Sequence, residues 1–312
     1  MAVRADVGSA HIGANRGCYM HLPHVRWQWL IFAIAVCVIR PVAVDAADDQ
    51  VLTRKQIKQF LLNAEVVSSR PDPRGVTHPW RLTLSNGVVT HDASFQTADR
   101  NNKDYRYNLA ASVLADMLGL EDTLPVYVER EWRGRWDAFS WWLPVQMDEA
   151  ERLKRKVEPP DLEAWNKQMD NIRVFDALVN ESDTNPKDLL IGNDWKIYRV
   201  DYSRGFLLDK NIQNPKSLVR CDRNLWEGLK NLNGHQLEKK TKGYLIRSEV
   251  QALMARRDKI LAYFRGLIAE KGENTVLFSF PRADAESRSL FFPIPAVVLM
   301  PEMLEPFLGL MN

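Results

Sequence analysis

The stretch VNESDTNPKDLLIGNDWKIYRVDYSRGF, Val179 to Phe206, constrains the chain more than any other. Two lone acids, Asp183 and Asp188, precede the short apolar runs LLI and KIYRV. The turn Gly192-Asn193-Asp194 separates these runs, and a third acid, Asp201, closes the second. So short a connection predicts a hairpin. Folding back then brings Asp188, before the first strand, and Asp201, after the second, to the same end. An acid after a helix or at a strand end is ordinarily a cap or turn residue. Three in this order, behind a helix and around one tight hairpin, form a more specific pattern.

The elements around this stretch can be read from periodicity. TRKQIKQFLLNA, Thr53 to Ala64, predicts a short amphipathic helix. Strand-like runs follow from Glu65, Trp80 and Val88, the first two joined by the loop RPDPRGVTHP and the second pair by the turn Ser85-Asn86-Gly87. Asn-Gly there is a strong hairpin signal. DYRYNLAASVLADMLGL predicts a helix closed by Gly119, and PVYVEREWRGRWDAFSWWLP a hairpin turning at Arg133-Gly134-Arg135. From Pro144 the pattern becomes mostly helical. PPDLEAWNKQMDNIRVFDALV has Asp161 as its N-cap and Leu162, Trp165, Met169, Ile172, Phe175 and Leu178 on one face. A later helix opens with the capping box of Ser248 and Gln251 and stops at Gly272. The tail beyond Phe278, broken by Pro281, Pro293 and Pro295, is assigned to no element.

Composition narrows the function. With 42 basic and 40 acidic side chains the net charge is +2, which gives no field to steer the chain toward nucleic acid. The clusters RLKRK (Arg152–Lys156) and EKKTK (Glu238–Lys242) read as solvated faces. His78, His91 and His235 lack metal-ligand spacing, and neither a G-x-S-x-G elbow nor a G-x-x-x-x-G-K loop is present. Any chemistry therefore comes from carboxylates. Arg26 ahead of the apolar run Trp27–Ile39, followed by Val44-Asp45-Ala46, reads as a secretory leader of residues 1–46. Export to the periplasm or the cell exterior is the expectation, with an uncleaved leader serving as membrane anchor as the alternative. Removal of the leader leaves Cys221 alone, so no internal disulfide forms, and a buried structural thiol is expected there.

A small sheet with one helix after its third strand, then helix, acidic loop, hairpin and acid, resembles the protein-kinase-like fold. Within that fold the motif is similar to the atypical branch of phosphatidylinositol 3/4-kinases and HipA-type kinases, whose catalytic loop reads approximately D-x-H-x-x-N. Asp183-Thr184-Asn185-Pro186-Lys187-Asp188 corresponds to it here, and Asp201 to the metal-binding Asp of D-F-G. The element order is also similar to that of a group of bacterial proteins with this core. The resemblance implies a two-lobed α+β fold, with an N-lobe at 47–144 (small antiparallel sheet plus one helix), a mainly helical C-lobe at 145–278 and a tail at 279–312.

The resemblance also implies a phosphotransferase using ATP or another nucleotide with Mg²⁺ or Mn²⁺. Such chemistry needs a positioned base, a metal and charge neutralisation more than covalent participation. Asp183 would be the base, Lys187 a phosphate contact, and Asp188 and Asp201 the hard oxygen ligands of the metal. The same resemblance calls for a Lys at the end of the third strand and a Glu on the following helix, and this chain has Gln96 and Asn108. A Gln–Asn hydrogen bond can hold the helix as an ion pair would, but it cannot neutralise phosphate. Arg70, Arg74 and Lys103 are the nearby cations that could substitute. Asp188 stands where the family has Asn, which strengthens metal binding and raises repulsion without metal, so a metal requirement follows. Two readings of function result. One is an exported, metal-dependent phosphotransferase with a nucleotide and an acceptor as partners. The other is a pseudokinase that binds or scaffolds an envelope protein. A third, a non-kinase fold chelating Ca²⁺, lacks the D-x-D-x-D-G loop it would use.

Overall fold

The computed structural model divides into two units, Met1–Val44 and Asp45–Asn312. It describes residues 52–72, 79–96, 105–182 and 185–280, all in the second unit. The leader sequence and the tail beyond 280 lie outside the described residues. Among those described, no helix is long and apolar enough to cross a membrane.

Helix α1, Arg54–Asn63, starts at a capping box in which the Thr53 hydroxyl accepts from the Gln56 N–H and the Gln56 carboxamide accepts from the Thr53 N–H. Strands β1 (Glu65–Pro71), β2 (Trp80–Ser85) and β3 (Thr90–Phe95) follow, then helix α2 (Tyr105–Leu118), then β4 (Tyr127–Trp132) and β5 (Arg135–Trp141). These strands make one antiparallel sheet in the order β1-β2-β3-β5-β4. Both expected hairpin turns form. Gly87 has φ 85°, with the Asn86 side chain accepting from the Val88 and Val89 N–H groups; Arg133 and Gly134 take φ 52° and 74°. On one side of the sheet, Ile57, Phe60 and Leu61 of α1 pack with Leu82, Leu84, Phe95, Phe139 and Trp141. Leu109 of α2 packs with Tyr127 and Ala138 of β4 and β5.

Strand β6 (Val145–Asp148) comes next, ahead of α3 (Glu149–Arg155) and α4 (Leu162–Val179). A strand at the start of the helical part was not expected; Met147 pairs with Ile191, so β6 forms a three-stranded antiparallel sheet with β7 (Leu189–Gly192) and β8 (Ile197–Arg199). The remaining elements are β9 (Cys221–Asp222), α5 (Arg223–Asn231), α6 (Gly234–Lys240), α7 (Arg247–Lys271), α8 (Glu273–Val276) and β10 (Leu277–Phe278), the last parallel to β9. The second core joins Ala110, Ala111, Leu114 and Leu118 of α2 to Phe175 and Leu178 of α4, Leu225 and Leu229 of α5, and Leu253, Ile260 and Phe264 of α7. Helix α2 therefore contributes to the packing of both the first sheet and the helical part. The fold is α+β, a small antiparallel sheet with one inserted helix followed by a mainly helical part.

Local expectations need three corrections. Leu162, expected on the buried face of α4, is 57% exposed because it occupies the first helical position, before the stripe turns inward. Arg152, read as part of a solvated basic face, is buried: its guanidinium grips Glu149 at 2.6 and 2.9 Å and lies 4.9 Å over the Trp165 ring. Helix α7 begins two residues earlier than expected, with Ile246 instead of Ser248 at the N-cap. Glu249 reaches back to accept from the Ile246 N–H at 2.8 Å, leaving Ser248 inside the helix. Cys221 is buried, as a structural thiol should be, and burial pushes its pKa well up.

Candidate functional site

The hairpin register decides what the acids can do. Asp188 closes a single 3₁₀ turn, Pro186–Asp188, which Asn185 caps by accepting from the Lys187 N–H at 3.0 Å. Leu189 pairs with Arg199, and the Val200 N–H donates to the Asp188 carbonyl at 2.9 Å. Asp188 thus lies across from Val200, whose neighbour in the chain is Asp201.

Asp201 has φ 60°. That left-handed conformation is unfavourable for most side chains and better tolerated by Asp. Its Oδ1 accepts from the Ser203 hydroxyl at 2.5 Å and the Ser203 N–H at 3.3 Å, a local turn that fixes the carboxylate. The segment ends at Phe206, also left-handed at φ 58°, whose N–H donates to the Val179 carbonyl at 2.5 Å. Both ends of 201–206 are therefore held, one by the hairpin and the other by the C-terminus of α4. A Cβ on Gly205 would sit 3.3 Å from Glu181 Oε2 and from the Tyr202 carbonyl, so this turn has little room for a side chain.

Above this segment sits a neutral clasp. Asn108 of α2 is fully buried; its Nδ2 donates to Gln96 Oε1 at 2.5 Å, and its Oδ1 accepts from the Tyr202 N–H at 2.7 Å. The backbone N–H can only donate, so it fixes the Asn108 amide orientation and requires Gln96 to present its oxygen. One side chain joins the residue after β3, helix α2 and the residue after Asp201.

Below it the site is charged. Arg199 is 1% exposed, with Nε 3.6 Å from Asp176 Oδ1 and Nη1 3.6 Å from Asp188 Oδ2; the same Nη1 donates to the Val200 carbonyl. Asp176 also accepts from the Tyr202 hydroxyl at 2.9 Å. Burial pulls the Arg199 pKa down, but Asp176, Tyr202, Asp188 and Glu181 more than reverse this and leave it raised. Burial raises the Asp176 carboxyl, against the lowering by Arg199 and the Tyr202 hydroxyl. A guanidinium keeps its proton throughout this range, and Asp176 accepts a bond from Tyr202 as a carboxylate does, so we take the pair as ionised. Tyr127 of β4 is buried beside the same groups: burial and then the Asp201 carboxylate push its hydroxyl pKa up. Strand β4 thereby reaches the charged centre.

The other expected site residues fall as follows. Lys187 is exposed beside Asp188, and Arg70 is exposed near the end of β1, paired in register with Arg81. Asp183 and Arg74 lie outside the described residues, as does Lys103. Among the described residues no group of three His, Cys, Asp or Glu side chains could hold a metal ion. Asp188 and Asp201, whose backbones the hairpin brings to one end, carry hard oxygen donors, the ligand type that suits Mg²⁺ or Mn²⁺. The tryptophans in and beside β4 and β5 make separate contacts: Trp141 is buried and stacks on His91 at 3.5 Å, Trp132 packs edge-on to Trp80 and Phe95, Trp142 lies under Arg81, and Trp136 is exposed.

Sequence reading missed Arg199, Asp176, Tyr202 and Tyr127. For the first two a signal existed. Arg199 is a charged residue in a short, otherwise apolar strand, and Asp176 adjoins the apolar stripe of α4 next to Phe175. A charge at a position that burial favours for apolar residues asks for a partner.

No family model and no curated protein matches the chain. Among solved structures it is similar to the Helicobacter pylori proinflammatory kinase CtkA, at 9% identity over 69% of this chain and 99% of that chain, with a TM-score of 0.43. A likeness this distant transfers neither activity nor substrate.

Proposed function

We propose that this chain is a divalent-metal-dependent phosphotransferase of the kinase-like class, acting on a nucleotide of which ATP is the first candidate. The observation that carries this reading is the β7–β8 register, which brings Asp188 and Asp201 to one end of the hairpin beneath the Asn108 clasp. Asp188 and Asp201 would hold Mg²⁺ or Mn²⁺, and a bound cation would neutralise charge on phosphate oxygens. Asp183 would accept the proton of the acceptor hydroxyl, and Lys187, exposed beside Asp188, would offer a phosphate contact. The motif likeness to phosphatidylinositol 3/4-kinases and HipA-type kinases supports the same assignment. Export, from the leader sequence, would place the protein in the cell envelope.

One observation favours a second reading, a pseudokinase that binds an envelope partner. Gln96 and Asn108 are neutral and bonded to each other, so neither of these two positions offers a cation to a phosphate. Thermal unfolding of the full chain separates the two, with ATP, with Mg²⁺ or Mn²⁺, and with both. A ligand at a hundred times its dissociation constant adds about 2.7 kcal/mol. A raised midpoint that needs metal and nucleotide together, and is lost in Asp201→Asn, supports the phosphotransferase. An unchanged midpoint under every condition overturns it in favour of the pseudokinase.

A further inference from the structure

Arg199 poses a question that the phosphotransferase reading leaves open. A buried guanidinium is costly unless matched, and here it is shared between two carboxylates, Asp176 and Asp188, each 3.6 Å away. Asp201 lies two residues further on, next to Val200, whose N–H donates to the Asp188 carbonyl, so the hairpin holds these charged residues at one end. Asp188 beside Asp201 should repel when no cation is present. With Arg199 between them, Asp176 and Asp188 keep one net negative charge where the two carboxylates alone would carry two.

Resting on the metal-site reading of Asp188 and Asp201, we propose that Arg199 is the internal counter-charge of Asp188, a positioning residue that selects the ligand. Its fixed positive charge disfavours a bare divalent cation at the site and favours one that arrives with anionic polyphosphate, as a metal–nucleotide complex does. Arg199 is too deeply buried to touch phosphate and acts only through the field and through Asp188.

The test compares wild type, Arg199→Met, Asp188→Asn and the double variant as full chains, with Mn²⁺ alone as the probe. Wild type should unfold at the same midpoint in chelator as in buffer. Arg199→Met should lose about 10 °C in chelator, because a buried pair has been broken. It should recover much of that loss with Mn²⁺ and bind Mn²⁺ about tenfold more tightly than wild type. Adding Asp188→Asn to Arg199→Met should restore at least half of the loss with no metal present, which measures the coupling of the two charges, while the tenfold gain in Mn²⁺ affinity is the readout a merely structural arginine would not move. An equal fall in the single and double variants overturns the proposal. If Arg199→Met does not fold, a folded double variant supports the proposal and an unfolded one overturns it. The chelator arms need no metal, so the two readings fail separately. Rescue without any response to Mn²⁺ or nucleotide keeps the counter-charge and sinks the phosphotransferase; Mn²⁺ binding without rescue does the reverse.

Discussion

The two sides of the candidate site are held by opposite means. Beneath the first sheet, Gln96 and Asn108 form a neutral clasp, a single amide joined to two partners at 2.5 and 2.7 Å. At the end of β8, Arg199, Asp176 and Asp188 form a charged one, at 3.6 Å. Tyr202 belongs to both, its N–H held by Asn108 and its hydroxyl held by Asp176. The neutral clasp gains from short, fully satisfied hydrogen bonds and is indifferent to salt. The charged clasp balances a large desolvation cost against attraction that a low dielectric strengthens. Among the groups of the two clasps, the charge is thus concentrated at the end of β8, and none of it is carried by Gln96 or Asn108.

The largest effect should come from cutting the neutral clasp. Asn108→Ala leaves the Tyr202 N–H buried without this partner, at about 1–3 kcal/mol, and removes the bond to the half-buried Gln96 amide oxygen, at about 1 kcal/mol. Urea unfolding should show a loss of about 3 kcal/mol, and a loss below about 1 kcal/mol would mean that water or a shifted helix replaces Asn108. A smaller change should come from restoring charge above the acids. Gln96→Lys presents an ammonium to the Asn108 Nδ2–H donor and should cost about 2 kcal/mol. Combined with Asn108→Glu, it should show a favourable coupling of about 1–2 kcal/mol in a double-mutant cycle. Zero coupling would show that the two positions are no longer interchangeable with an ion pair. The smallest effect should be at the shared residue. Tyr202→Phe removes only the hydroxyl bond to Asp176 and should lower stability by about 1 kcal/mol, leaving the Asn108 clasp intact. A loss comparable to that of Asn108→Ala would mean that the two clasps operate as one network.

The fold was legible where one period dominates. The Asn86-Gly87 and Arg133-Gly134 turns bounded strands of clear alternation, and Asp161 capped α4 as expected, accepting from the Ala164 N–H at 2.9 Å. Strand β6 was not legible, since four residues before a helix carry too little pattern to separate strand from loop. In the candidate site, the approach of Asp188 and Asp201 followed from the hairpin alone, and the Gln96–Asn108 bond from their matched substitution. What the sequence left hidden was the arginine. Its partners Asp176 and Asp188 lie 23 and 11 positions away, on a helix and a 3₁₀ turn, so no local spacing pairs them.

The reach of Asn108 also bears on the order in which the chain assembles. Its bond to Tyr202 spans 94 residues, whereas its bond to Gln96 spans 12. Closing a flexible loop of 94 residues costs about 4 kcal/mol of chain entropy before any contact rewards it. The sheet-side half of the clasp can form while α2 condenses on its own sheet. The far half must wait until α4 and the β7–β8 hairpin are built, so substitutions at Asn108 should accelerate unfolding far more than they slow folding.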